Sequence, residues 1–328
     1  MKFVKLGGFL LIILAIVIPQ QVLANSDYEK TNTVEINAAT DKSKNNQSEN
    51  KVEDNNSSNS ESTQEEQLEI KEKELQAAKE AQLKAKKEKL ENEIKKYLGN
   101  NINNIGLSYY DVTSGESINI NSDKTFLAAS TVKVQLNMIL ADMFANGQAS
   151  QSEQLTYTQA DYEEGTGILQ DTNLSNKSYV TATLSDYSII HSDNIATNMI
   201  MRRIGYENFR NLVDKKLGTA TNHSGNYITA SQETSILRKL YENEDSNSYY
   251  LHIIDIMKKT DFHDRLDKYI NTNIVAHKVG NYGNYVNDVG IVYTNKPYII
   301  SIYTEGVSNT NEVIAHISKL IYDYQNEK

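Results

Sequence analysis

Two lysines, Lys2 and Lys5, precede an apolar run over residues 6–18, and the small residue Ala24 follows shortly after. A positive start, a short apolar stretch and a small residue predict a secretory signal over 1–24. The run falls short of the roughly 18 to 20 apolar residues that span a bilayer, so cleavage rather than anchoring is expected. The bulk of the chain should then be secreted or held at the cell surface or wall. Residues 25–63 are mostly Asn, Ser, Lys, Glu, Asp and Thr; ordering them would cost backbone entropy that no buried apolar surface offsets, which predicts a polar tether. Residues 64–98 are rich in Glu, Lys, Ala, Gln and Leu and free of Gly and Pro, the composition of a solvated helix. Leu68 and Leu75 lie seven apart, as do Leu83, Leu90 and Tyr97, with an eight-residue step between the two sets. Such a narrow, interrupted seam reads as a single charged spacer of roughly 50 Å, with a coiled-coil dimer as the other reading.

From Gly99 onward the pattern becomes that of a folded domain over 99–328. Strand-like segments at 105–112 and 116–120 flank Thr113-Ser114-Gly115, a hairpin turn. Apolar residues recur at helical spacing over 132–144, 184–204 and 232–241. Strand character returns at 274–279, 286–293 and 298–304. The last segment, 311–324, places Val313, Ile314, Ile317, Leu320, Ile321 and Tyr324 on one helical face. The expected fold is α/β: a five-stranded antiparallel sheet flanked by helices, plus an all-helical subdomain. A cleft between the two lobes is where a site is expected.

Composition narrows the chemistry. With no cysteine there is no disulfide, thiolate metal site, thiol nucleophile or lipid-modified cysteine, so covalent catalysis would need an oxygen or amine nucleophile. Lys and Arg number 33 against 43 Asp and Glu, a net charge of −10, which argues against nucleic acid as a partner because phosphate neutralisation needs clustered positive charge. The six histidines show neither His-x-x-x-His nor His-Glu-x-x-His spacing, so no metal and no cofactor is expected.

Three short segments carry the candidate chemistry: Ser130-Thr131-Val132-Lys133, Ser192-Asp193-Asn194 and Lys278-Val279-Gly280. Each alone has a bland reading: an N-cap serine with a solvent lysine, a turn before a helix and a snorkelling strand lysine. Together they are more informative. Ser130 and Lys133 share the first-turn face of a helix, whose free N–H groups can face a developing oxyanion. A serine hydroxyl needs a base, and a lysine in an apolar, cation-rich setting can serve once its pKa falls from about 10.4. Ser192 can relay a proton to a leaving nitrogen. Asn194 offers an amide to a substrate or to Lys133, and Lys278 can attract a carboxylate.

In this order, the segments resemble the penicillin-recognising serine hydrolases, most closely the class A β-lactamase family. The resemblance covers residues 100–328. Gly165-Thr166-Gly167-Ile168-Leu169, the flank running from Ser192 to Asn198, Leu237-Arg238-Lys239-Leu240 and the strand opening Asn287-Asp288-Val289-Gly290 support it. It implies the β-lactamase/transpeptidase-like fold and an acyl-serine intermediate on Ser130, with Lys133, Ser192 and Lys278 as catalytic partners. Asn194, Gly280 and Asn281 would bind substrate, the Asn281 N–H joining that of Ser130 in the oxyanion hole. The implied substrate is a β-lactam or a peptidoglycan stem peptide ending in D-alanine.

Two departures qualify this. Members of that family carry a deacylating glutamate on a loop between the second and third segments; here the interval is short, and residues 218–228 contain no acidic residue. Glu233 is the nearest carboxylate, but it falls in the first turn of a helix, where stabilising the dipole is its expected role. Val279 replaces the usual hydroxyl residue, removing a hydrogen bond to a charged group worth about 1.5–3 kcal/mol. The expectation is an exported serine hydrolase with weak β-lactam turnover. The alternatives are a penicillin-binding D,D-peptidase or esterase-like enzyme, or a non-catalytic peptidoglycan-binding module on the same fold.

Overall fold

A computed structural model describes residues 58–327 of the chain. The expected export signal and most of the expected tether lie outside the described residues. Helix α1 (Ser58–Leu98) opens six residues before the predicted start of the spacer. Over residues 58–85 it forms a unit of its own, in which Leu68, Ile70, Leu75 and Leu83 are exposed and Lys73 pairs with Glu69 at 2.6 Å.

The second unit begins at Lys86 and includes the last turns of α1. There Leu90, Ile94 and Leu98, four residues apart on one face, are buried and join the core beneath the sheet. This part of the predicted spacer is therefore packed rather than solvated, and Leu90, one of the heptad leucines, is taken up by the domain. The central sheet is built from β1 (Ile105–Asp111), β2 (Ser117–Ile120) and three later strands. Between them come β3 (Thr125–Leu127), α2 (Val132–Ala145), β4 (Gln154–Thr156), β5 (Ser178–Val180), α3 (Thr181–Ile190), α4 (Asn194–Ile204), α5 (Tyr206–Leu217), β6 (Tyr227–Thr229), α6 (Ala230–Glu242) and α7 (Tyr250–Met257). The chain then completes the sheet with β7 (Val275–Tyr282), β8 (Tyr285–Val292) and β9 (Tyr298–Thr304) and closes with α8 (Thr310–Asn326).

The sheet order is β2-β1-β9-β8-β7, and every pairing is antiparallel. Side chains alternate across it. Tyr298, Ile300 and Ile302 face the core formed with α1 and α8, while Ile299 and Tyr303 face the core of the helical lobe. The expected mixed fold, with five antiparallel strands and a helical subdomain, is the one observed. The helical pattern read across 184–204 is broken in two: α3 ends at Ile190, and α4 starts at Asn194 with Asp193 as its N-cap, Oδ1 accepting from Ala196 N at 2.8 Å. That break is where Ser192 sits. Strand β7 lies at the sheet edge, so its outer side is open to the helical lobe.

Candidate active site

Ser130 lies in a single 3-10 turn, Ala129–Thr131, that runs directly into α2. Its hydroxyl caps no helix, and Lys133, one turn on, is fully buried; the bland reading of a capping serine beside a solvent lysine does not hold here. The turn is pinned from three sides. Asn287 Nδ2, on β8, donates to Leu127 O at 2.9 Å and Ala128 O at 3.1 Å. Asn226 donates from its side chain to Ala129 O at 3.1 Å and accepts from Ala128 N at 2.7 Å. On the third side, strand β7 comes so close that a Cβ on Gly280 would meet Ala128 O at 2.7 Å and Ser130 N at 3.1 Å. Only glycine permits that approach.

Two residues here hold left-handed backbone, Ala129 at φ 50° and Ser192 at φ 53°. A non-glycine residue adopts this conformation at a cost of order 1 kcal/mol or more, and such strain concentrates at functional sites. The two residues flank one set of contacts. Lys133 Nζ donates to Ser192 O and Asn194 Oδ1, each at 2.6 Å, and lies 3.3 Å from Ser192 Oγ. Lys278 Nζ reaches the same hydroxyl at 3.0 Å and Val279 O at 3.0 Å. Ser192 Oγ thus sits between two buried amines.

Burial sets their protonation. Taking the Lys133 ammonium out of water lowers its pKa to about 7, against the opposing pull of Glu163 and Asp193. Burial, and then the charge of Lys133, push Lys278 well below its ordinary value. A neutral Lys133 keeps two N–H groups for its 2.6 Å contacts and has a lone pair left to take a proton.

The Ser192 loop is braced by the glycine-containing segment picked out in the sequence. Asn194 N donates to Thr166 O at 3.0 Å, Thr166 Oγ1 to Ser192 O at 2.7 Å, and Leu169 N to Asp193 Oδ2 at 2.8 Å. A Cβ on Gly167 would lie 2.3 Å from the Asp193 carboxylate. Of the predicted site residues, Ser130, Lys133, Ser192, Asn194, Lys278 and Gly280 come together. Asn281, next along the edge strand and paired with Val286, is exposed.

Sequence reasoning passed over several partners. Asn226 carries no local signal, and Asn287 stands out in the sequence only as part of a motif; the role of each in pinning the turn depends on which strands meet it. Glu163 is half-buried beside the cleft, its carboxylate accepting from Asn198 Nδ2 at 2.9 Å. The dipole role expected of Glu233 needs correction. Its side chain is fully buried; one carboxyl oxygen accepts a hydrogen bond from Gln135 Nε2, the other is buried without a hydrogen-bond partner, and Tyr303, whose hydroxyl lies 2.9 Å from Thr131 Oγ1, influences the same carboxyl group. Burial pushes its pKa up to about 8, so it is a neutral acid packed behind the turn that carries Ser130. His277, next to Lys278 in the sequence, points to the opposite side of β7 and is buried there. Burial disfavours its charge, but Asp288 and Asp267 outweigh this and push its pKa up to about 9.

The comparisons with known proteins agree with this arrangement. A β-lactamase of Streptomyces albus G is 32% identical over 106 residues, which make up 31% of this chain; the chain spans about a third (33%) of the length of that relative. Among solved structures, PBP-A superposes with a TM-score of 0.67 at 24% identity, covering 73% of this chain and 97% of that one. The TLA-3 extended-spectrum β-lactamase gives a TM-score of 0.65 at 22% identity, covering 73% and 98%. A PBP-A variant, 25% identical and with a TM-score of 0.67 over the same shares, was solved as an acyl-enzyme complex with penicillin G. Residues 88–325, which hold every residue of the cluster around Ser130, match the family model described as the beta-lactamase enzyme family, and the chain belongs to that family.

Proposed function

We propose that this chain is an exported serine hydrolase in which Ser130 is acylated by a β-lactam or by a peptide ending in D-alanine, and that the acyl-enzyme turns over slowly. The observation that carries the reading is the buried Lys133, with a pKa of about 7, one turn from Ser130 and linked through Ser192 to Lys278. Neutral Lys133 takes the Ser130 proton as Oγ bonds to the substrate carbonyl carbon. The Ser130 N–H and the Asn281 N–H receive the oxyanion. As the carbon–nitrogen bond breaks, the proton passes from Lys133 through Ser192 Oγ to the leaving nitrogen. Lys278 faces the substrate carboxylate without help from a hydroxyl at position 279. The penicillin G adduct of the PBP-A variant supports the substrate class.

Slow turnover rests on the carboxylates. The segment 218–228 has none, and Glu233 is enclosed by Gln135 and Tyr303 as a neutral acid. Export rests on Lys2, Lys5 and the apolar run that follows, and a mature N-terminus after Ala24 is the expected product. Intact-mass spectrometry after incubation with penicillin, and separately with an activated ester, tests the chemistry. The wild-type protein should gain one adduct that persists for minutes or longer, and Ser130→Ala none. Equal labelling of Ser130→Ala would remove the nucleophile, and no labelling by either reagent would make the domain a binding module.

A further inference from the structure

On the face of β7 turned away from the cleft, His277 is fully buried and its Nδ1 lies 3.0 Å from both carboxylate oxygens of Asp288. Asp288 is itself fixed, its Oδ2 accepting from Leu266 N at 3.0 Å. The other imidazole nitrogen, Nε2, faces Asp267 Oδ2 at 3.3 Å without an aligned hydrogen bond. Both His277 Nε2 and Asp267 Oδ1 are buried with no hydrogen-bond partner, which is costly for polar atoms in an interior. His263 Nδ1 approaches Asp267 Oδ2 at 2.5 Å. The donor atoms of His263, Asp267 and His277 all lie within 4.8 Å of one another.

From this geometry we infer that His263, Asp267 and His277 form a binding site for a divalent transition metal of the zinc class. Two imidazoles and one carboxylate make a nitrogen–oxygen donor set suited to such a borderline cation. A carboxylate on Nδ1 fixes the imidazole with its Nε2 lone pair aimed at the metal position, an outer-shell arrangement that recurs in metal sites. Asp288 does this for His277. The His263 side chain is 47% exposed while those of Asp267 and His277 are 1% and 0% exposed, so the site opens to solvent on one side. That opening gives a path of entry and room for a water as the remaining ligand. A proton competes for Nε2, and the dication displaces it because the same two carboxylates attract the higher charge more strongly.

The site has a structural consequence for the cleft. His263 and Asp267 belong to the loop between α7 and β7, which also places the Phe262 ring 5.6 Å from Lys278 Nζ and ties Arg265 to Asn287 O at 2.9 Å. A metal shared between this loop and His277 clamps the loop to the strand that carries Lys278. Sequence spacing did not reveal it because the ligands come from a loop and a strand that only folding brings together.

The test uses the full chain, stripped with a chelator and titrated with zinc by calorimetry and with cobalt by visible absorption. The wild-type protein should bind one equivalent of zinc at micromolar or lower concentration, develop cobalt bands of nitrogen–oxygen ligation, and melt several degrees higher with zinc. His263→Ala, at a half-exposed side chain, and the isosteric Asp267→Asn should each weaken this binding at least about tenfold, the lower range for lost ligation-shell groups. Weak binding by surface pairs such as His191 with Asp261 and His252 with Asp186 persists in both variants and serves as the baseline. Wild-type binding no tighter than that baseline, or variants that bind as wild type does, would overturn the site. If neither variant folds, wild-type stoichiometry and the cobalt spectrum decide it.

Discussion

Gly280→Ala is the sharpest probe of how the edge strand shapes the nucleophile turn. The new Cβ would stand 2.7 Å from Ala128 O, 3.0 Å from Thr131 N and 3.1 Å from Ser130 N. Carbon and carbonyl oxygen pack at roughly 3.3 Å or more, so the turn or the strand must retreat by about 0.6 Å. All three obstructing atoms are backbone, and Asn287 and Asn226 hold the same turn, so no flexible side chain can absorb the shift. Overpacking of this kind costs about 1–3 kcal/mol of stability. The effect on chemistry should be larger, because the methyl lies over the Ser130 N–H. Losing one oxyanion donor costs about 10²–10³ in rate. Stopped-flow acylation with a chromogenic cephalosporin should therefore slow about a hundredfold, with a melting temperature a few degrees lower. Gly283→Ala is the control: at φ 56° with no atom within 4 Å of its Cβ, it strains the backbone without touching the turn, and acylation should stay within about threefold of wild type by the same measure. If Gly280→Ala acylates as fast as Gly283→Ala, strand β7 does not shape the oxyanion site and the reasoning fails.

Three further outcomes are expected. A lysine can take a proton only when neutral, so with Lys133 as the proposed base the acylation rate should rise with pH through about 7 and then level off; a profile flat from pH 5.5 to 8.5 would remove Lys133 from that role. Glu233 keeps its proton up to about pH 8 in the folded state but releases it near 4.5 when unfolded, so its contribution to stability is complete below 4.5 and is lost as pH rises to 8. Glu233→Gln should flatten the fall in urea midpoint between pH 4.5 and 7, an effect on the order of a few kcal/mol, and an unchanged slope would count against a buried neutral acid. Ile94→Ala should cost about 2–5 kcal/mol in urea unfolding while Leu75→Ala costs within about 0.5 kcal/mol; equal costs would mean that the end of α1 is not part of the core.

Much of the fold was legible because the sheet strands alternate and the amphipathic helices repeat at their own period. The alternation places the last strand at 298–304, and it spans Tyr298–Thr304; the helical period places the closing helix at 311–324, and it spans Thr310–Asn326. The short pairs β3 with β6 and β4 with β5 were not read, since three-residue strands carry no period and exist only through their partners. The end of α1 differs from the solvated spacer its composition predicts for a related reason: Leu90, Ile94 and Leu98 look sparse among charges, and only packing against the sheet makes one face a core.

The candidate site divides in the same way. Sequence alone determined which groups are present: serine hydroxyls in place of the absent thiols, two lysines, an asparagine and no carboxylate over residues 218–228. Those are matters of covalent identity and order along the chain. Tertiary structure decided their chemical state, because protonation and reach depend on what surrounds a group in space. It buried Lys133 enough to lower its pKa to about 7, placed Ser192 Oγ between two amines, and enclosed Glu233 as a neutral acid. It also brought donor atoms of His263, Asp267 and His277, drawn from a loop and a strand, within 4.8 Å of one another.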